Sequence, residues 1–206
     1  MQPDQLKDKD LVLFVDQSGS MGKKDQTGGK SRWQAVAEGT IAIARKMTEL
    51  DPDGITVYAF GDKHTRYNNV TDETKVEAIF KHEPGGGTNL TGVLTVAFND
   101  YFARRDKNEA KAGGEIWLVV TDGEPDDKES VKVLIAENSA KLTKDEELGI
   151  QFVQVGDDET ATTFLKELDD ELQTKYGAKY DIVDTTPLSA VGSRTVAEVL
   201  ASAISD

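Results

Sequence analysis

Two unbroken runs of apolar residues, Leu11-Val12-Leu13-Phe14-Val15 and Ile116-Trp117-Leu118-Val119-Val120, constrain this chain more than any other feature. A strand with one wet face alternates apolar and polar side chains. An unbroken run therefore belongs to a strand buried on both faces, and such strands occur in sheets covered by helices on either side. The first run stops at Asp16 and the second, after Thr121, at Asp122.

Strand-like and helix-like segments alternate along the rest of the chain, which predicts an α/β fold: a doubly wound, mostly parallel sheet with helices on both faces. Ser31-Arg32-Trp33-Gln34 carries a capping box that starts a helix. Trp33, Ala37, Thr40, Ala44 and Met47 give that helix one apolar face, and Asp51-Pro52-Asp53-Gly54 stops it. Ile55 to Phe60 reads as the second strand, and the polar stretch His64 to Val70 as a short antiparallel edge strand reached through Gly61-Asp62. Thr71 is expected to cap a short helix to about Phe80, and the loop Glu83-Pro84-Gly85-Gly86-Gly87 to lead into a helix from Leu90 to about Arg105. A helix from about Asp127 to Leu148 closed by Gly149, a strand Ile150 to Val155 and a helix from about Glu159 to Tyr176 closed by Gly177 follow. A strand Tyr180 to Val183 and a helix Ser193 to Ile204 complete the pattern. With 206 residues, 37% of them hydrophobic, and no repeat or linker, residues 1–206 are expected to form one domain around one sizeable core.

Charge narrows the function classes. With 38 acidic against 24 basic side chains the net charge is -14, which repels phosphate backbones and argues against nucleic acid as a partner. No apolar run approaches the roughly 20 residues of a membrane-spanning helix, so no membrane insertion is expected. The segment MQPDQLKDKD lacks the basic-then-apolar profile of a signal peptide, and a soluble, cytosolic chain is the expectation. The absence of cysteine removes disulfides and thiolate metal sites.

In an open parallel sheet, ligands bind beyond the carboxyl ends of the strands, where the strand order reverses. Asp16 and Asp122 sit at such ends. In Asp16-Gln17-Ser18-Gly19-Ser20 three oxygen-bearing side chains alternate along a turn kept compact by Gly19, so several can converge on one point. Carboxylate and hydroxyl are hard ligands that suit Mg²⁺, Mn²⁺ or Ca²⁺ rather than zinc or copper. Few carboxylates and several neutral hydroxyls leave such an ion under-neutralised, and it should attract an anionic oxygen from outside. Each string alone reads equally well as a turn or a helix cap.

Together, Asp16-Gln17-Ser18-Gly19-Ser20, Gly86-Gly87-Thr88-Asn89-Leu90 before a helix and Val120-Thr121-Asp122-Gly123-Glu124 after an apolar strand resemble the metal-ion-dependent adhesion site of von Willebrand factor A domains. The resemblance implies that Asp16, Ser18, Ser20, Thr88 and Asp122 bind a divalent cation, Mg²⁺ before Mn²⁺ or Ca²⁺. It implies that the two serines do so directly, the threonine directly or through water, and the aspartates through water. A Glu or Asp carboxylate from a protein partner would fill the open position. In many such domains the last helix moves when the site closes, which makes Ser193 to Ile204 a candidate transmitter. The stretch Gly22 to Lys30 is longer than in the best-known adhesion modules, so the resemblance does not extend to that part of the rim.

Other residues read more plainly. His64 and His82, the only imidazoles, are expected in solvent, and Trp33 and Trp117 in the core. Lys23, Lys24, Lys30 and Arg32 read as a solvated basic loop, although they could also steer an acidic partner. Asp126 or Asp127 is expected to cap the next helix, and neither is needed for a second ion. An aspartate after the first strand could also serve a Mg²⁺-dependent phosphatase or phosphotransferase. Enzymes of the haloacid dehalogenase type, however, pair it with a second acid two residues on, where this chain has Ser18. GxxxxGK[ST] and GxGxxG are both absent, so the sequence favours a binding module over an enzyme, with a scaffold holding a structural ion as the further alternative.

Overall fold

A computed structural model describes residue 6 and residues 8–191 and 194–204. Its centre is one six-stranded sheet: β1 (Asp10–Asp16), β2 (Ile55–Phe60), β3 (His64–Val70), β4 (Glu115–Thr121), β5 (Leu148–Gln154) and β6 (Val183–Pro187), in the order β3-β2-β1-β4-β5-β6. Only β3 runs antiparallel, paired to β2 at the edge, and every other neighbouring pair is parallel. The expected α/β architecture is therefore observed. Strand order reverses between β1 and β4, whose register runs from Asp10 opposite Glu115 to Val15 opposite Val120.

The unbroken runs are explained by two cores. Val12 and Phe14 face one core with Leu94, Phe98 and Tyr101 of α3 (Leu90–Asp106), Val131 and Ile135 of α4 (Lys128–Ser139) and Phe164 and Leu168 of α5 (Glu159–Asp170). Leu11, Leu13 and Val15 face the other. There they meet α1 (Arg32–Leu50), α2 (Thr74–Phe80) and α8 (Val196–Ser202) through Trp33, Met47, Val76, Ile79, Val199 and Leu200. Each such burial contributes about 1.5–3 kcal/mol, against a total span of about 1 kcal/mol for strand propensity, so covering both faces, more than propensity, makes β1 and β4 central. Among the described residues no helix is long and apolar enough to cross a membrane.

α1 starts as expected, with Ser31 Oγ accepting from the Gln34 amide at 3.1 Å and Gln34 Oε1 accepting from the Ser31 amide at 3.0 Å. Its buried stripe runs through Trp33, Val36, Thr40, Ile43, Ala44 and Met47, so Ile43 replaces Ala37 on the inner face. α2 begins at Thr74 rather than at a Thr71 cap, because Asp72 Oδ1 accepts from the Thr74 amide. The helix expected to reach Leu148 ends at Ser139 instead. Asn138 donates to the Leu134 carbonyl and Ser139 to the Ala136 carbonyl, and beyond them Glu147 folds the chain back. Its carboxylate accepts from the Thr143 amide and hydroxyl, the Tyr101 hydroxyl and Arg105. Gly149, expected as a helix stop, lies inside β5. A Cβ there would meet the Ala203 carbonyl oxygen and Ile204 Cγ2 at 2.6 Å, so its bareness lets the C-terminal segment cross the sheet.

The remaining expectations shift for similar reasons. The helix from Glu159 breaks at Glu171 into α5 and α6 (Leu172–Tyr176), which Gly177 does close. β6 spans Val183–Pro187 rather than Tyr180 to Val183, because its partners on β5 run from Ile150 to Gln154 and Asp169 accepts from both the amide and hydroxyl of Thr185. A short α7 (Leu188–Val191) precedes α8, whose capping box pairs Thr195 with Glu198. Ser193, where the last helix was expected to start, lies outside the described residues.

Two outcomes follow for stability. Burial pushes the Glu147 carboxyl upward, but the Thr143, Arg105 and Tyr101 bonds outweigh it and hold the group down to about 2. The unfolded chain thus binds the proton first as pH falls, so the stabilisation is whole above about pH 4.5 and lost towards pH 2. Glu147→Gln should cost about 2 kcal/mol in urea unfolding at pH 7, and the gap from wild type should narrow as the pH falls below 4. Gly149→Ala should cost about 1–3 kcal/mol by the same measurement, since backbone must yield to the new methyl.

Candidate metal centre

The ends of β1 and β4 are joined by one buried carboxylate. Asp16, the last residue of β1, is 0% exposed. Its Oδ1 accepts from the Ser18 amide at 2.8 Å, and its Oδ2 from the hydroxyl of Thr121, the last residue of β4, at 2.6 Å. The first bond curls the chain after β1 into a turn that brings Ser18 Oγ within 3.0 Å of Ser20 Oγ. Thr121 Oγ1 in turn accepts from the Gly123 amide, shaping the loop that carries Asp122.

The middle loop is held against this turn by backbone bonds: Gly19 amide to Gly86 carbonyl at 2.9 Å, and Gly85 amide to Gln17 carbonyl at 2.9 Å. Two carboxylates clamp it from the sides. Asp62 Oδ1 accepts from the Gly87 amide at 2.7 Å, and Asp126 Oδ2 from the Thr88 amide at 3.0 Å, while the Asp126 amide donates back to the Thr88 carbonyl. Glycine is required here: Gly86 has φ +81°, and Cβ atoms at Gly86 or Gly87 would fall within 3 Å of these carboxylate oxygens. Thr88 is buried, and its hydroxyl has no hydrogen-bond partner among the described residues. Asn89 then caps α3 by accepting from the Gly92 amide.

Asp122, also 0% exposed, likewise has both carboxylate oxygens engaged. Its Oδ1 accepts from the Glu124 amide at 3.3 Å, and its Oδ2 from Arg32 Nη1 at 3.0 Å. Arg32 is therefore no part of a solvated rim. It is 3% exposed and fully charged, because bonds to Asp25, Glu124 and Asp122 outweigh the cost of its burial. Lys23 is paired with Glu124 at 2.8 Å, while Lys24 and Lys30 are exposed. His64 and His82 are exposed, Trp117 is fully buried, and Trp33 is in the core with its indole N–H donating to the His82 carbonyl. Asp127 caps α4, leaving Asp126 free to hold Thr88.

Asp16, Ser18, Ser20, Thr88 and Asp122 are thus carried by three loops bonded to one another, and all five side chains offer oxygen. Motif reading missed Thr121, Arg32, Asp62 and Asp126. The two acids lie 25 and 38 positions from the residues they hold, a separation that leaves no local pattern. A different acidic group, Asp10, Asp51 and Asp53, has carboxylate oxygens within 4.8 Å of one another. It lies at the opposite, amino end of β1 and already encloses an ammonium, with Lys111 Nζ bonded to Asp51 and 3.0 Å and 3.5 Å from Asp53 and Asp10.

Burial, with repulsion from Asp122 adding to it, pushes the Asp16 carboxyl up to about 6 against the hydrogen bonds from Ser18 and Thr121. A raised folded value means that this group's contribution to stability falls as pH rises through about 6. Asp16 is therefore a buried joint between two strand ends rather than a solvated loop residue. In the metal-free protein at pH 8, Asp16→Asn should melt at or above the wild-type temperature, since it removes the buried charge while Oδ1 still accepts from the Ser18 amide and Nδ2 can donate to Thr121 Oγ1. Asp16→Ala should melt lower, because it strands the Ser18 amide and the Thr121 hydroxyl.

The family model for the von Willebrand factor type A domain matches residues 11–124. No curated protein matches the chain. Among solved structures, the von Willebrand factor domain of the type V pili tip protein Mfa5 from Porphyromonas gingivalis aligns with a TM-score of 0.57 at 14% identity, covering 96% of each chain. The manganese-loaded TRAP protein of Plasmodium vivax aligns at 0.54 and 14% identity, over 91% of this chain and 72% of that one. A mutant of the PilB minor pilin from Streptococcus sanguinis aligns at 0.58 and 13% identity over 86% of this chain, which spans only 57% of the pilin's length. At these identities the structures speak to the fold alone, and the family match covers more than half of the sequence: the chain belongs to the von Willebrand factor type A domain family.

Proposed function

We propose that this chain is a binding module in which Asp16, Ser18, Ser20, Thr88 and Asp122 hold a divalent cation, Mg²⁺ before Mn²⁺ or Ca²⁺, and the cation captures a Glu or Asp carboxylate of a protein partner. The observation that carries the reading is the pair of hydroxyls, Ser18 Oγ and Ser20 Oγ, 3.0 Å apart beside the buried Asp16, with the uncommitted hydroxyl of Thr88 on the adjoining loop. Hard neutral oxygens with few charges suit a hard ion and leave it short of negative charge, so an outside carboxylate completes the set. In this chain Ser18 and Ser20 supply direct donors and Asp16 fixes the turn that presents them. Thr88 is the group free to respond to a ligand. The TRAP structure that shares the fold is manganese-loaded, which supports an ion-dependent role.

The competing readings are a Mg²⁺-dependent phosphatase using Asp16 and a scaffold with a structural ion. Both oxygens of Asp16 already accept hydrogen bonds, which argues against a free nucleophile. Titration calorimetry with Mg²⁺, Mn²⁺ and Ca²⁺ should register binding in the wild type and none in Asp16→Asn. A generic phosphate ester should remain uncleaved. Partner capture, assayed by pull-down with and without chelator from cytosolic and from cell-surface fractions, should depend on the ion. Thr88→Ala should weaken that capture at least tenfold while changing ion affinity less. Equal losses in both would count against a ligand-responsive threonine.

A further inference from the structure

Among the described residues Arg32 is the one buried cation beside these loops, and neither the motif nor the proposed ion set includes it. It is the first residue of α1, directly after the Ser31 cap, so the start of the helix fixes where its side chain emerges. Its guanidinium is engaged by three carboxylates. Nε and Nη2 both bind Asp25 Oδ2, at 2.8 Å and 2.7 Å, and Nη1 is shared between Asp122 Oδ2 at 3.0 Å and Glu124 Oε1 at 3.1 Å. Gly156 roofs it: φ is +82°, and a Cβ there would come within 3.0 Å of Nε and 3.1 Å of Cζ. This is a built seat for a permanent positive charge, since arginine does not titrate in proteins.

We propose that Arg32 is a positioning residue that acts as a resident counter-charge, pairing with Asp122 and leaving the ion site one negative charge short, so that firm ion capture requires the carboxylate of the partner. The inference rests on the function proposed above. Asp122 is the one of the five proposed ligands whose carboxylate is paired with a cation, a guanidinium that it shares with Asp25 and Glu124, whereas Asp16 accepts only from the neutral Ser18 amide and Thr121 hydroxyl. A divalent ion there keeps a net positive charge and is also repelled by the guanidinium across a short, water-poor path. An incoming carboxylate offsets both effects. Ion and ligand then become mutually dependent, each raising the affinity of the other by the same factor. Arg32 also bonds Asp25 of the 22–30 loop, and Glu124 is held by Lys23 of that loop, so the loop and the charge of Asp122 are connected through one guanidinium.

The test is a double-mutant cycle on the full chain, with Mn²⁺ binding followed by electron paramagnetic resonance in the presence and absence of acetate and folding followed by thermal melts. Asp122→Asn alone should weaken Mn²⁺ binding about tenfold, and Arg32→Gln alone should tighten it by a similar factor, as expected for one unit charge at close range. In Arg32→Gln plus Asp122→Asn the two effects should cancel to near the wild-type value. That variant leaves no unpaired buried charge at position 122, so it remains informative if Arg32→Gln alone fails to fold. Arg32→Lys, which keeps the charge, should bind Mn²⁺ as the wild type does. Acetate should tighten Mn²⁺ binding more in the wild type than in Arg32→Gln, where the released Asp122 already supplies the charge. A merely structural arginine would give no gain of ion affinity on removal. Equal Mn²⁺ affinity in Asp122→Asn and the double variant would therefore overturn the role of Arg32 while leaving the ion site standing. No Mn²⁺ binding by the wild type, or binding that survives in Asp16→Asn, would overturn the ion site and this inference with it.

Discussion

The carboxylate of Asp16 is the joint on which the upper end of the molecule depends. It receives one bond from its own loop and one from the end of the neighbouring central strand, so the turn after β1 and the loop after β4 take their shapes from the same group. The middle loop then has little freedom, because its carbonyls and amides bond to Gln17 and Gly19, and its sides are held by Asp62 and Asp126. A buried charge is costly when it lacks partners, and here the partners are the loops themselves.

Charge balance gives the site its character. The chain as a whole is strongly acidic, yet the five proposed ligands contribute only two carboxylates, one of which is bonded to a buried arginine. Long-range acidity favours cations near the surface, while the local shortage of negative charge favours an additional carboxylate once an ion is present. The acidic group at the amino end of β1 shows the contrasting solution: three carboxylates brought close together and satisfied by the ammonium of Lys111. A cluster of acids alone therefore says little, and what decides is which cation the fold has already supplied.

Legibility in the sequence followed the range of the forces involved. The unbroken apolar runs, the capping box at Ser31 and Gln34, the edge position of the polar strand and the alternating oxygens from Asp16 to Ser20 are local patterns, and each reappears in the fold. The helix expected to reach Leu148 was misread because Glu147, which ends that stretch by bonding Thr143, Tyr101 and Arg105, takes two of its partners from α3. Gly149 carried a helix-stop signal but serves a close crossing by the C-terminal segment, and Arg32 looked like part of a basic loop until Asp25, Asp122 and Glu124 were found around it.

The sequence by itself determined the sheet class, the two central strands and the residues that could meet beyond their ends, because side-chain periodicity and turn chemistry act over a few positions. Only the tertiary structure decided which of those residues are already satisfied. Thr121 on Asp16, Arg32 on Asp122 and Asp126 on Thr88 are partnerships made across the sheet and between loops, between residues 105, 90 and 38 positions apart. Such pairings are set by how the strands are ordered and how the helices pack on them, and no short stretch of sequence encodes either.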